Sequence, residues 1–437
     1  PSDSGGTTRL EVVEALLRQV LRCQPGRVVL AEGTGAFGTT LDTAFPTGGW
    51  RELAARYDVE LYNLDGGPHD EVMIEKPHYP YPLPFSRLVR DCDVFITVPC
   101  LKTHISCDYT VSLKNSYALI PQWKRSEVHG QYMLEEALTD INRIRKPDLT
   151  VVDAWDGAEG IAGGNKFDRP AGARLMIVGA DPVALDVISK EIMGMENMRT
   201  CYLQWAIEDG VGVGERDRIT TVGDPLEECI HRFETPAEEV LKLAPSLTVH
   251  DCGACSRCRS ASLVTMMRFG RQKLLKPITF ILGGDGDAPQ VAGDGVIVVG
   301  DCANKFAHLG KHVPGCPARA GDVIQAIEQS GAVCLQCRDL ARKAIPGLAP
   351  EFLAYLRVTG AGAEVFAGDQ VKRDQWHLEL LVGDCMERYS RAVLERATQF
   401  GLDPERDIIY LQGCPPDANA IREALRRLEQ AFAAVQP

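Results

Sequence analysis

The chain has 437 residues, 45% of them hydrophobic, enough for about three domains with ample cores. Lys and Arg number 47 against 60 Asp and Glu, so the formal charge is −13 and neither a nucleic-acid-binding surface nor a polybasic membrane patch is expected. Fifteen cysteines without a secretory hydrophobic segment, and no apolar run near the roughly 18 residues that cross a bilayer, point to a reducing, cytoplasmic setting where thiolates bind metal. The opening stretch from Pro1 to Thr8 has no Met, as expected of the interior of a longer chain.

Residues 8 to 23 put Leu10, Val13, Leu16, Val20 and Leu21 at helical spacing, and Gln24-Pro25-Gly26 closes that helix before an apolar strand over Val28 to Gly33. The alternation continues with a helix over Trp50 to Tyr57, a strand over Glu60 to Leu64 and a Pro/Tyr/His-rich loop over 66 to 83. A helix over Phe85 to Asp91 and a strand over Val94 to Pro99 follow. Strands at Leu149 to Asp153 and Leu175 to Gly179 join amphipathic helices around 133 to 146 and 182 to 193. Residues 200 to 245 add a helix, a short strand over Ile219 to Val222 and a charged helix. Apolar strands separated by helices predict an α/β fold: in the N-terminal domain, 1–245, a mostly parallel sheet covered by helices, with ligands beyond the carboxyl ends of the strands.

From 246 onward a four-cysteine pattern is written twice. The first copy has Cys252-Gly-Ala-Cys255, then Gly300-Asp301-Cys302, then Gly315-Cys316-Pro317; the second has Cys334-Leu-Gln-Cys337, then Gly383-Asp384-Cys385, then Gly413-Cys414-Pro415. From the second to the third cysteine the step is 47 positions in one copy (255 to 302) and 48 in the other (337 to 385). Matched spacing predicts two repeated smaller α/β modules, 246–332 and 333–437. Their apolar strands are 278–282 and 296–299 in the first, 378–382 and 408–411 in the second. The second copy has room for an added helix over Tyr389 to Phe400 between its third and fourth cysteines.

A Cys-x2-Cys turn offers two thiolates to one centre, and two more must arrive from elsewhere to close a four-sulfur cage. Structural zinc sites usually bring the second pair as another tight knuckle; here the third and fourth cysteines come singly, after Gly-rich strand ends, and the following proline resembles ferredoxin runs. The expected ligands are Cys252, Cys255, Cys302 and Cys316 for one [4Fe-4S] cluster and Cys334, Cys337, Cys385 and Cys414 for a second. One larger bridged cluster, zinc, or plain buried thiols are the other readings. Cys258, three positions after Cys255, is a spare thiol, while Cys23, Cys92, Cys201 and Cys229 read as packing residues. Gly283 to Asp287 reads as a turn, since it lacks a nucleotide-binding pattern.

The densest polar group before the cysteines is Cys100-Leu-Lys102-Thr-His104, followed by Lys114-Asn115, Lys124-Arg125 and His129. Cations and histidines beyond a buried strand suit a small anionic substrate, carboxylate or phosphate, with His as proton donor; a solvated basic loop is the plain alternative. The candidate catalytic residues are therefore Lys102, His104, Lys114, Asn115, Arg125 and His129. A second group, Asp153, Asp156 and Glu159 before Gly163-Gly164, could orient substrate or bind a divalent cation, or form a lid over 157 to 164.

The block from Val98 to His104, Ser112-Leu-Lys-Asn115, the strand from Lys146 to Asp153, and Gly179-Ala-Asp-Pro-Val-Ala-Leu-Asp186 together resemble the domain of unknown function 362 family, over roughly residues 8 to 215. The resemblance implies Lys102, His104, Lys114 and Asn115 as site residues. It also implies an attached cysteine-rich iron–sulfur segment, to which the first cysteine copy is similar. This chain departs from the family in having Cys100 where a Lys is usual, and in starting just after an earlier Lys-Pro-Asn-type strand end.

These readings converge on an iron–sulfur reductase in which two [4Fe-4S] clusters pass low-potential electrons to a small anionic substrate in the N-terminal domain. A ferredoxin-like or flavin-containing donor is the expected partner, and a homodimer is compatible with the sequence. A non-catalytic electron carrier or cluster scaffold, and a redox-neutral isomerase or lyase using a cluster iron as Lewis acid, are the alternatives. No Ser-His-Asp order or His-Glu-x-x-His supports a hydrolase.

Overall fold

A computed structural model of the protein describes residues 6–34, 45, 48–163, 169–270, 274–333, 339–340, 343, 345–353, 355–360, 363–366, 378–397, 402–413 and 416–435. The chain divides into two compact units: Pro1–Glu239 with Cys255–Ser260, and Val240–Ala254 with Ala261–Pro437.

In the first unit, α1 (Leu10–Arg22) buries Val13 and Leu17 and leads to β1 (Val29–Glu32), which pairs in parallel with β2 (Glu60–Asn63) across α2 (Trp50–Tyr57). The stretch read as a loop carries an antiparallel pair instead, β3 (His69–Val72) with β4 (Leu83–Ser86). The main sheet has five strands, β5 (Ile96–Thr97), β6 (Cys100–His104), β7 (Asp108–Thr110), β8 (Leu149–Ala158) and β9 (Leu175–Gly179). Here β5 and β6 run parallel to β8, whereas β7 and β9 are antiparallel to their neighbours, so the α/β sheet is mixed.

Two local differences from the sequence reading have physical causes. The strand expected to stop at Pro99 resumes as β6, because Leu101 and Thr103, both fully buried, alternate with half-buried Lys102 and His104. The strand expected over 219–222 does not form: those residues are irregular and Val222 is 97% exposed, with no neighbouring strand among the described residues to bury it. Helices α3 (Ser112–Asn115), α4 (Gln122–Gly130), α5 (Leu134–Ile144), α6 (Pro182–Ile192) and α7 (Cys201–Glu208) pack on this sheet around Leu101, Val111, Leu138, Ile141 and Tyr202.

The second unit holds two four-stranded sheets. One is wholly parallel, in the order β10 (Leu247–Asp251), β11 (Ile278–Leu282), β12 (Val296–Val299), β13 (Lys311–Val313). The other places β14 (Leu356–Gly360), β16 (Leu378–Val382) and β17 (Ile408–Leu411) in parallel and adds β15 (Ala363–Phe366) antiparallel at its edge. The helix α8 (Ser256–Gly270) has its first turn in the first unit and the rest in the second. Helices α9 (Ala320–Gln329), α10 (Glu387–Arg396) and α11 (Ala418–Val435) follow the cysteine loops.

Candidate active site

Strand pleating fixes the first half of the site. Cys100, Lys102 and His104 are two residues apart on β6 and share one face, and the turn into β7 returns the chain so that Val111 leads directly into α3 with Lys114. His104 Nδ1 accepts the Ser106 backbone N–H at 3.0 Å and lies 3.4 Å from Cys107 Sγ. A ring nitrogen that accepts a backbone N–H carries no proton, so the remaining proton of the neutral ring sits on Nε2. Burial holds His104 well below the ordinary histidine range, and the Lys114 and Lys102 charges add to the effect. His129 on α4 is pushed down to about 4 by burial and by Lys114. Both rings are therefore neutral at pH 7.

The two lysines differ. Lys102 Nζ donates to Gly6 O at 3.1 Å, and Glu32 is a carboxylate whose charge acts on it. Lys114 has no hydrogen bond or ion pair with any described residue, and burial holds the fully buried Cys107 as a thiol. Burial lowers the pKa of both lysines, and the Lys114 charge lowers that of Lys102 further. Lys102, His104, Lys114 and His129 thus form one electrostatically connected group. Cys100 beside them is 5% exposed and pushed up to about 12 by burial, which makes it an inert thiol at neutral pH.

Other expected site residues hold the frame. Arg125 is 1% exposed and committed: Nη1 donates to the carbonyls of Ala118 and Ile120 at 3.2 and 2.9 Å, Nη2 to Asp65 Oδ1 at 2.6 Å. Asn115 Nδ2 donates to Thr97 Oγ1 at 2.7 Å. Asp153 is paired with Arg9, and Glu159 with Arg169 and the Glu234 backbone N–H, so the second acidic group is internally satisfied at these two positions. Of the lid read over 157 to 164, residue 164 lies outside the described residues.

The sequence blocks meet at α3. Asp186 Oδ1 accepts the N–H of Ser112 at 2.9 Å and of Leu113 at 3.3 Å, and Ser112 Oγ lies 2.6 Å from Thr150 Oγ1. Asp181 caps α6 through the N–H groups of Val183 and Ala184, which fixes the helix that delivers Asp186.

In the second unit the two cysteine copies share one backbone device. Gly300 and Gly383 sit at φ +96° and +101° after β12 and β16, a conformation open chiefly to glycine, and turn the chain into Asp301-Cys302 and Asp384-Cys385. Asp301 Oδ1 then accepts the Gly315 N–H at 2.7 Å, and Asp384 Oδ1 accepts the Gly413 N–H at 2.7 Å. Each aspartate clasps the loop that carries the fourth cysteine. Cys252 joins the same edge of the first sheet, since Cys252 N donates to Leu282 O and Asp285 N to Cys252 O, both at 2.7 Å. Cys334, Cys337 and Cys414, and the side chain of Cys385, lie outside what is described. Among the described residues, no three His, Cys, Asp or Glu side chains are gathered as a ready metal cage.

Cys255 brings a group that spacing did not announce. In the first unit its sulfur accepts hydrogen bonds from the thiols of Cys201 and Cys258 and from the N–H groups of Arg257 and Cys258, which hold it far below the usual thiol range. Ser256 N donates to Arg199 O at 2.8 Å and Cys201 N to Ser256 Oγ at 3.0 Å. Cys201 read as packing because it lies outside the cysteine motif that carries its partner, 54 positions away.

Residues 1–191 are similar to a known family: they match the family model described as Domain of unknown function (DUF362). Among individual proteins, a thylakoid-associated protein of Synechocystis is 25% identical over 194 residues, covering 43% of this chain and 58% of that protein. The chain thus spans less than two thirds of the length of the curated relative it matches. No helix among the described residues is long and apolar enough to cross a membrane.

Proposed function

We propose that this protein is an iron–sulfur redox enzyme acting on a small anionic substrate held by Lys102, Lys114, His104 and His129. The observation that carries the reading is the recurrence of one clasp, Gly-Asp-Cys bound to Gly-Cys-Pro through an Asp carboxylate, at the carboxyl ends of parallel strands in both cysteine copies. Such loops suit thiolate ligands that converge from separate strand ends. Cys252, Cys255, Cys302 and Cys316 would hold one [4Fe-4S] cluster, and Cys334, Cys337, Cys385 and Cys414 a second; bound clusters would supply low-potential electrons. In the substrate site, the ammonium groups of Lys102 and Lys114 attract the anion, and the Nε2 proton of His104 is a hydrogen-bond donor toward it. A ferredoxin-like or flavin-containing protein is the matching electron donor.

The test is anaerobic purification with iron and acid-labile sulfide measured per chain, followed by EPR after dithionite reduction. About eight irons and eight sulfides are expected for two four-iron clusters, with half of the signal lost in Cys302→Ala. Zinc without sulfide would overturn the redox reading.

A further inference from the structure

We propose that Asp108 is the positioning residue that locks the ring proton of His104 on Nε2. The inference deepens, and rests on, the anion-site reading above, in which that proton is directed at the ligand. It starts from a strained turn. His104 and Asp108 are opposite residues of β6 and β7, so Ile105, Ser106 and Cys107 alone close the hairpin. Asp108 stands at φ +66°, and across it Tyr109 N donates to Cys107 O at 2.8 Å. A hydrogen bond spanning one residue at such a φ belongs to the rare, strained form of the three-residue turn, which a residue with a Cβ resists. A conformation of this kind persists only where its surroundings impose it.

Here the surroundings are two donors brought from far along the chain. Both carboxylate oxygens of Asp108 accept from Arg259 Nη1 at 2.9 Å, and Oδ2 also accepts from Thr200 Oγ1 at 2.9 Å. All three residues are buried, so water does not compete for these bonds. The effect reaches the other side of the loop: Ser106 turns its N–H back onto His104 Nδ1 at 3.0 Å, and Cys107 Sγ lies 3.4 Å from the same nitrogen. Nδ1 is thereby an acceptor, which leaves Nε2 as the ring position for the proton of a neutral imidazole. Closing the hairpin does not need this apparatus, because glycine or asparagine at 108 would take the left-handed backbone at lower cost. A tethered carboxylate holds one loop geometry where a relaxed turn would sample several.

The test uses the full chain labelled with 15N-histidine and long-range 15N–1H correlation NMR of the imidazole rings at pH 8, where an ordinary histidine is largely neutral. The His104 signal is assigned by its loss in His104→Gln. Wild type should show a single tautomer with its proton on Nε2. Asp108→Gly accepts the backbone but loses both tethers, and its His104 nitrogens should move to the averaged shifts of two exchanging tautomers. Asp108→Asn keeps the backbone and an acceptor oxygen, and should retain the single tautomer.

A proton on Nδ1 in wild type would overturn the proposal, and so would an unmixed Nε2 tautomer in an Asp108→Gly variant with wild-type circular dichroism. If Asp108→Gly does not fold, Thr200→Val, which removes one donor at nearly constant volume, takes its place: partial mixing supports the lock and an unmixed tautomer overturns it. Acetate, a simple carboxylate, separates this outcome from the fate of the anion site. A saturable shift of the His104 Nε2 signal on adding acetate supports that site. No shift, with the tautomer pattern of the variants as expected, would remove the anion site and leave the action of Asp108 on His104 standing.

Discussion

At the scale of single residues, the site depends on a carboxyl group that never meets substrate. Asp186 is fully buried, gives Oδ1 to two backbone N–H groups of α3, and has no partner for Oδ2 among the described residues. Burial outweighs those two hydrogen bonds and pushes its pKa up to about 8. The folded protein therefore binds this proton more tightly than the unfolded chain does. Stability from the protonated form is fully present below about pH 4 and is lost as pH rises through about 8. Glu135, buried and also pushed up to about 8 by burial, works in the same direction. Asp186→Asn keeps the Oδ1 acceptor and removes the titration. Urea unfolding at pH 5 and pH 8 should show a smaller drop in the variant than in wild type, by a few kcal/mol at most, since one pKa unit is worth about 1.4 kcal/mol. An identical drop in both would mean that Asp186 ionises freely.

At the scale of elements, the Asp301 and Asp384 clasps argue that the cysteine loops are shaped by backbone chemistry before any metal arrives. Asp301→Ala removes the acceptor of the Gly315 N–H, and global stability should fall by only about 1 kcal/mol, as for one hydrogen bond near the surface. Iron and sulfide per chain should fall much further, because the loop of Cys316 is no longer tied to that of Cys302; Asp301→Asn, which keeps an acceptor, should be intermediate. Retention of full iron in Asp301→Ala would make the clasp incidental. Much of this was legible beforehand: strands 278–282, 296–299, 378–382 and 408–411 stand where apolar runs predict them. The substrate face was less legible. Lys102 and His104 look like loop residues because polar side chains interrupt β6, and only pairing with β7 and β8 reveals the alternation. Arg125 looked catalytic because a sequence does not show that Asp65, 60 positions away, and two carbonyls engage its Nη groups.

For the whole molecule, the stretch that matches a family model ends at 191, yet residues of the first unit depend on chain well beyond it. Asp108, buried and held at φ +66°, is paired with Arg259 Nη1 at 2.9 Å and accepts from Thr200 Oγ1 at 2.9 Å. Ser256 Oγ donates to Glu135 Oε2 at 2.8 Å, and Arg257 pairs with Glu136. Three buried carboxyl groups thus rely on a single turn of α8, a dependence that no local motif announces, since Asp108 and Arg259 are 151 positions apart. Removing one partner leaves a buried charge uncompensated, so Arg259→Ala should destabilise the first unit by about 3–5 kcal/mol. Replacing both partners with shapes of similar volume should cost far less. Asn tolerates the left-handed backbone at 108 and Met fills the volume at 259, so Asp108→Asn with Arg259→Met should recover most of the loss. Denaturant unfolding followed by Trp fluorescence measures both variants. If the double variant is as unstable as Arg259→Ala, the arginine contributes through packing of its stem, and the ion pair is not what ties α8 to the first unit.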